Sequence, residues 1–194
     1  KQVIGEHFLD DVIETKNSLE LFDKVVDTLN EPFDKYLLWD WHRTLKKGSV
    51  DDEIDNIGKW KKYENRLSKT DLKLCEPHMV ENSIFNLLED WKESKKDIYA
   101  IADFHQKFEH IHPFQDGNGR IGRFIILRQC LENNVDLIAI DDEYNKEYRD
   151  ALYKAQTTGN IEELVEVFKK CQARLNEKLK DYEQIITQVS NEVN

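Results

Sequence analysis

Between His112 and Arg123 the chain reads His-Pro-Phe-Gln-Asp-Gly-Asn-Gly-Arg-Ile-Gly-Arg. Residue types at this spacing can handle a polyphosphate. Gly117-Asn118-Gly119 at the start of a helix frees backbone N–H groups to converge on an anion, and the helix dipole adds to that field. Arg120 and Arg123 stand three apart, on one helical face beside the same anion, and guanidinium forks suit phosphate oxygens. Asp116, just ahead of the nest, is placed to hold Mg²⁺, an ion that prefers a carboxylate combined with phosphate oxygens and waters. His112 has an ordinary pKa of about 6.5, which suits a general base at neutral pH. Gly-Asn-Gly alone would read as a plain helix–helix turn. With a base, a metal ligand and two cations beside it, the segment holds the parts that phosphoryl-type transfer needs.

The elements that must position this loop are helical. One stripe of apolar residues runs through Val12, Leu19, Phe22, Val25, Val26 and Leu29 and stops near Asn30-Glu31-Pro32; a second runs from Phe33 through Tyr36, Leu37, Trp41, Thr44 and Leu45. Lys46 and Lys47 in its last turn, followed by Gly48, predict a helix stop there. Residues 49–76 are charged and aperiodic, and read as a long loop with room for one hairpin around Trp60–Leu67. Helical periodicity resumes at 77–95, with proline at its first position, and again from Asp97 to Ile111. Pro113 ends the latter, because the residue before proline avoids helical geometry. Further helices are predicted over 118–133, 143–157, 161–174 and 175 onward, with no internal repeat. The fold class is all-α.

Composition bounds the rest. A chain of 194 residues and 23.1 kDa with 39% hydrophobic residues fits one folded domain, or one domain with an added helix. A net charge of −11 is a poor surface for nucleic acid, whose binding needs clustered Lys and Arg. Cys75, Cys130 and Cys171 form no C-x-x-C pair, which points to ordinary thiols in a reducing, cytoplasmic setting. No apolar run reaches the roughly 20 residues of a membrane span, so no membrane association is expected. The chain opens at Lys1 without Met and is expected to be a processed or excised piece.

The 112–123 segment resembles the Fic-domain signature H-x-F-x-[D/E]-G-N-G-R-x-x-R at every specified position. Trp41-His42-Arg43-Thr44-Leu45, then Gly58-Lys59-Trp60, look like the family's helix leading into its flap. Glu147 to Leu152, Gly159-Asn160 and Leu164-Val165 resemble the helices after the motif. The likeness covers 33–174; it implies a Fic-type helical bundle with a small flap hairpin, flanked by an N-terminal helical segment (1–32) and a C-terminal helix (175–194).

The resemblance also implies a protein adenylyltransferase that moves AMP from Mg·ATP to a Ser, Thr or Tyr hydroxyl of a target protein. His112 would deprotonate that hydroxyl, which attacks the α-phosphate. Asp116 would hold Mg²⁺, Gly117, Asn118 and Gly119 would cradle the phosphates, Arg120 and Arg123 would take outer oxygens, and Phe114 would anchor the core. Related kinases carry Lys at the second motif glycine, so Gly119 points to AMP transfer; phosphocholine-transferring and AMP-removing relatives remain open. The flap around Gly58–Leu67 would align a target by strand addition. Where family flaps often read Gly-x-Tyr-Arg, Trp60 and Lys61 stand here.

Restraint of the enzyme is a further implication. Family members are commonly inhibited by a helix bearing [S/T]-x-x-x-E-[G/N], whose glutamate pairs with the second motif arginine, here Arg123. Ser49 with Glu53 and Thr158 with Glu162 both miss the last position. An inhibitory segment is therefore expected upstream of Lys1 or on another chain, such as an antitoxin. His105 and His110 are five apart and fit a shared metal poorly; His105 is expected to be buried and hydrogen-bonded. Tyr148 is open to stacking on adenine or to packing.

Overall fold

The computed structural model describes residues 2–67 and 70–192, with side chains over 9–52, 54–67 and 70–184. Among these residues eight α-helices and one 3-10 turn form, and no strand. The helices are α1 (Gln2–Asp27), α2 (Lys35–Lys46), α3 (Val50–Glu53), α4 (Val80–Glu93), α5 (Ile98–Ile111), α6 (Asn118–Asn133), α7 (Asn145–Thr158) and α8 (Glu162–Glu192). Two starts carry side-chain caps. Asp34 accepts from the N–H groups of Tyr36 and Leu37, and Asp97 accepts from that of Ala100. Each cap satisfies first-turn donors that have no partner inside the helix.

Helix α5 sits at the centre and packs against α4, α6, α7 and α8, while α1 lies across α2 and α6. Trp41, Phe108, Phe114, Ile121, Ile125 and Phe168 are essentially fully buried where these helices meet. Phe114, from the motif loop, belongs to the core, so the loop is fixed by the same apolar burial that holds the bundle. No helix among the described residues is long and apolar enough to cross a membrane.

Three expectations are revised. The face that α1 buries is Glu14, Asn17, Leu21, Val25 and Thr28, whereas Val12, Leu19, Phe22 and Val26 of the apolar stripe are exposed. The polar members of the inner face are held by specific partners; Asn17 Nδ2 donates to the carbonyls of Leu45 and Lys47 at 2.9 and 2.8 Å and so closes the end of α2. The helices expected at 161–174 and 175 onward are one continuous α8 of 31 residues, because no Gly or Pro interrupts 161–194. Residues 54–67 and 70–76 form no hairpin; Lys61, Tyr63 and Asn65 donate to residues 111–115 instead.

Arg128 of α6 ties α1 to the bundle. It is 1% exposed. Its guanidinium donates to the carbonyls of Thr28, Leu29 and Glu31 at 2.9, 3.2 and 2.6 Å. The α1–α2 turn is thereby locked to the helix that starts at the motif.

Candidate active site

His112 turns out of the end of α5 with φ 49 and ψ 61, the left-handed region, while its N–H still donates to the Phe108 carbonyl at 2.9 Å. Its Nδ1 lies 3.3 Å from the Glu109 carbonyl. A carbonyl only accepts, so this contact places the ring proton on Nδ1 and leaves Nε2 with a free lone pair. Burial lowers the proton affinity to about 4, against the pull of the Glu109 carbonyl and with help from the Lys61 charge. The ring is a neutral acceptor at pH 7.

The turn that follows is built by its own side chains. Asn118 is buried and closes a two-way clasp on Phe114: its Oδ1 accepts from the Phe114 N–H and its Nδ2 donates to the Phe114 carbonyl, both at 2.8 Å. The Asn118 side chain is thus committed to loop geometry, and its backbone N–H is what faces the helix mouth. Gly117 takes φ 80, favourable for glycine alone, and supplies no side-chain cap to α6. The first-turn N–H groups at Asn118, Gly119 and Arg120 are left without intrahelical acceptors. A Cβ on Gly119 would meet only Arg123 Nη1, at 3.6 Å, so the approach to the mouth is open there.

His42 of α2 lies beneath this loop, stacked on Phe114 with ring centroids 4.0 Å apart and planes at 2°. Its Nδ1 accepts from the Gly58 N–H at 2.9 Å and its Nε2 contacts the Asp116 carbonyl at 3.1 Å. The tautomer follows: Nε2 carries the proton. Burial pushes its pKa down to about 4, keeping it neutral.

Asp116 has a side chain 58% exposed beside the helix mouth. Its Oδ2 meets Lys46 Nζ at 2.6 Å, and Arg120 Nη2 stands 3.8 Å from the same oxygen. Lys46 is buried, and its ammonium also meets Glu14 Oε1 at 2.7 Å and Asp51 Oδ2 at 2.6 Å. Glu14, from α1, pairs through its other oxygen with Arg120. Burial raises the Asp116 pKa, but the Lys46 hydrogen bond and charge outweigh it and hold the carboxyl below its ordinary value. Arg123 is exposed and makes no ion pair among the described residues. His112, Asp116, the glycine turn and both arginines, read from sequence, do converge on one end of α6.

The model of the Fic/DOC family matches residues 32–130, slightly more than half of the chain. The chain belongs to the Fic/DOC family. It is 35% identical over 83 residues to a probable protein adenylyltransferase of Aquifex aeolicus (strain VF5), a match that covers 41% of this chain and 25% of that relative. The chain therefore spans a quarter of that curated relative's length. Among solved structures, a Fic-domain signalling protein of Bacteroides thetaiotaomicron superposes with a TM-score of 0.71 at 19% identity, over 86% of this chain and 70% of that one. BepC of Bartonella tribocorum, solved with AMPPNP bound, superposes at 0.63 and 15% identity, over 83% of this chain and 86% of that one. These structural likenesses establish the Fic fold.

Sequence reading missed Glu14, which lies outside the family match, and it missed Lys46 and Lys61, which lie inside it. The available signal was weak. Glu14 shares a helical face with Leu21 and Val25, at spacings of seven and eleven residues, and a carboxylate on an inward face needs a buried cation. Tyr148 is buried, with its hydroxyl 2.8 Å from His105 Nε2; its role is packing. One hollow is lined by motif arginines and a second lies between α4, α5 and the end of α7. The first, of about 410 Å³, is lined by Thr15, Ser18, Arg120, Arg123 and Phe124, and the second, of about 360 Å³, by Asn86, Gln106, His110, Ile111 and Gln156. A third, of about 480 Å³ near α7 and α8, carries Glu143, Glu147, Asp150, Glu163 and Glu166 with Lys146, an acidic excess.

Proposed function

We propose that this Fic chain is a protein adenylyltransferase, moving AMP from ATP to a hydroxyl side chain of a target protein in the cytoplasm. One observation carries the reading: His112, whose Nδ1 is turned to the Glu109 carbonyl and whose ring feels the Asp116 charge, leads into the same loop whose end is the uncapped start of α6, with Arg120 and Arg123 in its first turns. A target hydroxyl would give its proton to Nε2 as its oxygen bonds to the α-phosphorus. The bond from that phosphorus to the bridging oxygen breaks, and pyrophosphate leaves. The N–H groups at the mouth and the exposed Arg123 would hold phosphate oxygens through this charge movement.

The residues fit a divalent ion. Asp116 presents a half-exposed, ionised carboxylate at the helix mouth, and an ion there would join phosphate oxygens and neutralise the charge of the departing pyrophosphate.

Restraint, on this reading, is built into the chain. Glu14 engages Arg120 directly and is joined to Asp116 through Lys46, so a carboxylate of α1 competes with a phosphate for Arg120.

The test is incubation of the chain with magnesium and ATP labelled at either the α- or the γ-phosphate, in wild type, Glu14→Gln and His112→Ala. Adenylyl transfer to the chain itself incorporates the α label only, rises in Glu14→Gln and vanishes in His112→Ala while nucleotide binding persists. Incorporation of the γ label would replace the reading with phosphorylation. Parallel GTP, CTP and UTP reactions establish the base preference.

A further inference from the structure

Lys61 is 3% exposed, on a segment without helix or strand, and its two donors reach to either side of His112. Its backbone N–H donates to the Pro113 carbonyl at 2.8 Å, and its Nζ donates to the Ile111 carbonyl at 3.1 Å. The residue between those carbonyls is the one held at φ 49 and ψ 61. For a residue other than glycine that geometry costs about 1–2 kcal/mol and persists only where neighbours over-determine it. The Ile111 carbonyl also belongs to the last turn of α5, where acceptors have no partner inside the helix and the dipole favours a cation.

The surrounding segment is fastened in the same sense. The Tyr63 N–H donates to Gln115 Oε1 at 3.2 Å, and Asn65 Nδ2 donates to the Phe114 and Gln115 carbonyls at 3.1 and 2.9 Å. Trp60, next to Lys61, packs its ring 5.3 Å from that of Phe114. The backbone from 111 to 115 is thus lined by donors from 61 to 65, with the ammonium of Lys61 at the histidine end.

We infer that Lys61 is the positioning residue for His112: its paired donors fix the carbonyls on both sides of the histidine and so aim Nε2 at the helix mouth. The inference rests on His112 acting as the base proposed above. Lys61 is buried with its ammonium on the Ile111 carbonyl, which assigns it a positioning role and not a catalytic one. Its ammonium also lowers the proton affinity of the imidazole, which keeps Nε2 free.

The test compares wild type, Lys61→Met and Lys61→Arg, in the Glu14→Gln background to raise the signal, by transfer kinetics and by imidazole nitrogen NMR of His112. Lys61→Met removes the side-chain donor and keeps the apolar stem. It is expected to lower kcat by about 10- to 100-fold, the size of effect that a misplaced reacting group produces, with KM for ATP unchanged, and to lose the single Nδ1–H tautomer. Lys61→Arg is expected to recover most of kcat and the tautomer. If Lys61→Met does not fold, Lys61→Gln is read in the same way. A folded variant with wild-type kcat, a loss confined to KM for ATP, or an unchanged His112 tautomer overturns the inference. The NMR measurement does not require transfer, so a parent chain that fails to transfer AMP counts against the functional reading alone.

Discussion

Lys46 Nζ lies 2.6 Å from Asp116 Oδ2, and the same buried ammonium meets Glu14 at 2.7 Å and Asp51 at 2.6 Å. An ammonium has three N–H bonds, and all three are used on carboxylates. Burial by itself would lower the pKa of Lys46; the three hydrogen-bonded carboxylates outweigh burial and raise it. The sequence places these groups on α1, α2, α3 and the motif loop, so one lysine joins α1 to the aspartate of the motif loop.

Removing that ammonium leaves Glu14 buried beside other carboxylates. Lys46→Met is expected to cost about 3–5 kcal/mol, the range for breaking a buried pair from one side. Lys46→Met with Glu14→Gln should recover a substantial part of the loss, because Glu14, then left with Arg120 alone for its buried charge, is neutral in the double variant. Urea unfolding of the two variants and wild type checks this; a double variant no more stable than the single would place the cost elsewhere.

What the sequence disclosed depended on whether the signal was local. The turn at 117–119 was legible because glycine and asparagine are selected there by a positive φ and by a clasp within four residues. Helices α5 and α6 were legible from their period, from Pro113 after the one and from the glycine turn before the other. Glu14 was not, because its partners lie 32 residues away at Lys46 and on α6 at Arg120, and nothing local distinguishes a buried glutamate from an exposed one. Residues 61–65 were read as part of a hairpin since charged, β-compatible residues also occur in strands. In the fold their donors are taken up by carbonyls of the motif loop, leaving no ladder to form.

Gly122 lies inside α6, where alanine would ordinarily stabilise by up to about 1 kcal/mol. Here a Cβ would stand 2.4 Å from Glu109 Oε1 and 3.0 Å from His105 Cε1. Gly122→Ala should instead destabilise by about 1–3 kcal/mol, the usual cost of overpacking. Glu109→Ala should relieve it, giving a favourable coupling in a double-mutant cycle. Thermal or urea unfolding of the four proteins measures that coupling, and additive effects would show that the carboxylate is not the obstacle.

Glu109 gives a pH dependence with a definite sign. Burial pushes its pKa up to about 7, against the opposing charge of Arg123. Its folded form therefore binds the proton more tightly than its unfolded form does. The contribution is favourable at acid pH, declines as pH rises from about 4.5 to 7, and is constant above that. Glu109→Gln mimics the protonated acid at every pH. The variant should match wild type near pH 4.5 and exceed it by about 3 kcal/mol at pH 8.5. Reading the difference between the two proteins cancels the opposite trend of His42, His105 and His112. Each of these has a depressed pKa and loses stability as pH falls below about 6.5. Urea midpoints at the two pH values test it, and a difference that is constant with pH would show that Glu109 is ionised throughout.

Arg128 sets where α1, and with it Glu14, lies over the motif. Its guanidinium serves three carbonyls of the α1–α2 turn, pairs with Glu132 at 2.6 Å, and stands 5.3 Å from the Phe33 ring. A lysine at this site has one nitrogen and cannot span those acceptors. Arg128→Lys should therefore cost about 2–4 kcal/mol, as expected for a buried charge with broken partners, and it should speed amide exchange in the α1–α2 turn. Because α1 carries the carboxylate that occupies Arg120, the same variant should also transfer more AMP per folded molecule than wild type, while Arg128→Lys with Glu14→Gln should gain nothing over Glu14→Gln. Stability loss without that change in transfer would show that the turn and the restraint are independent.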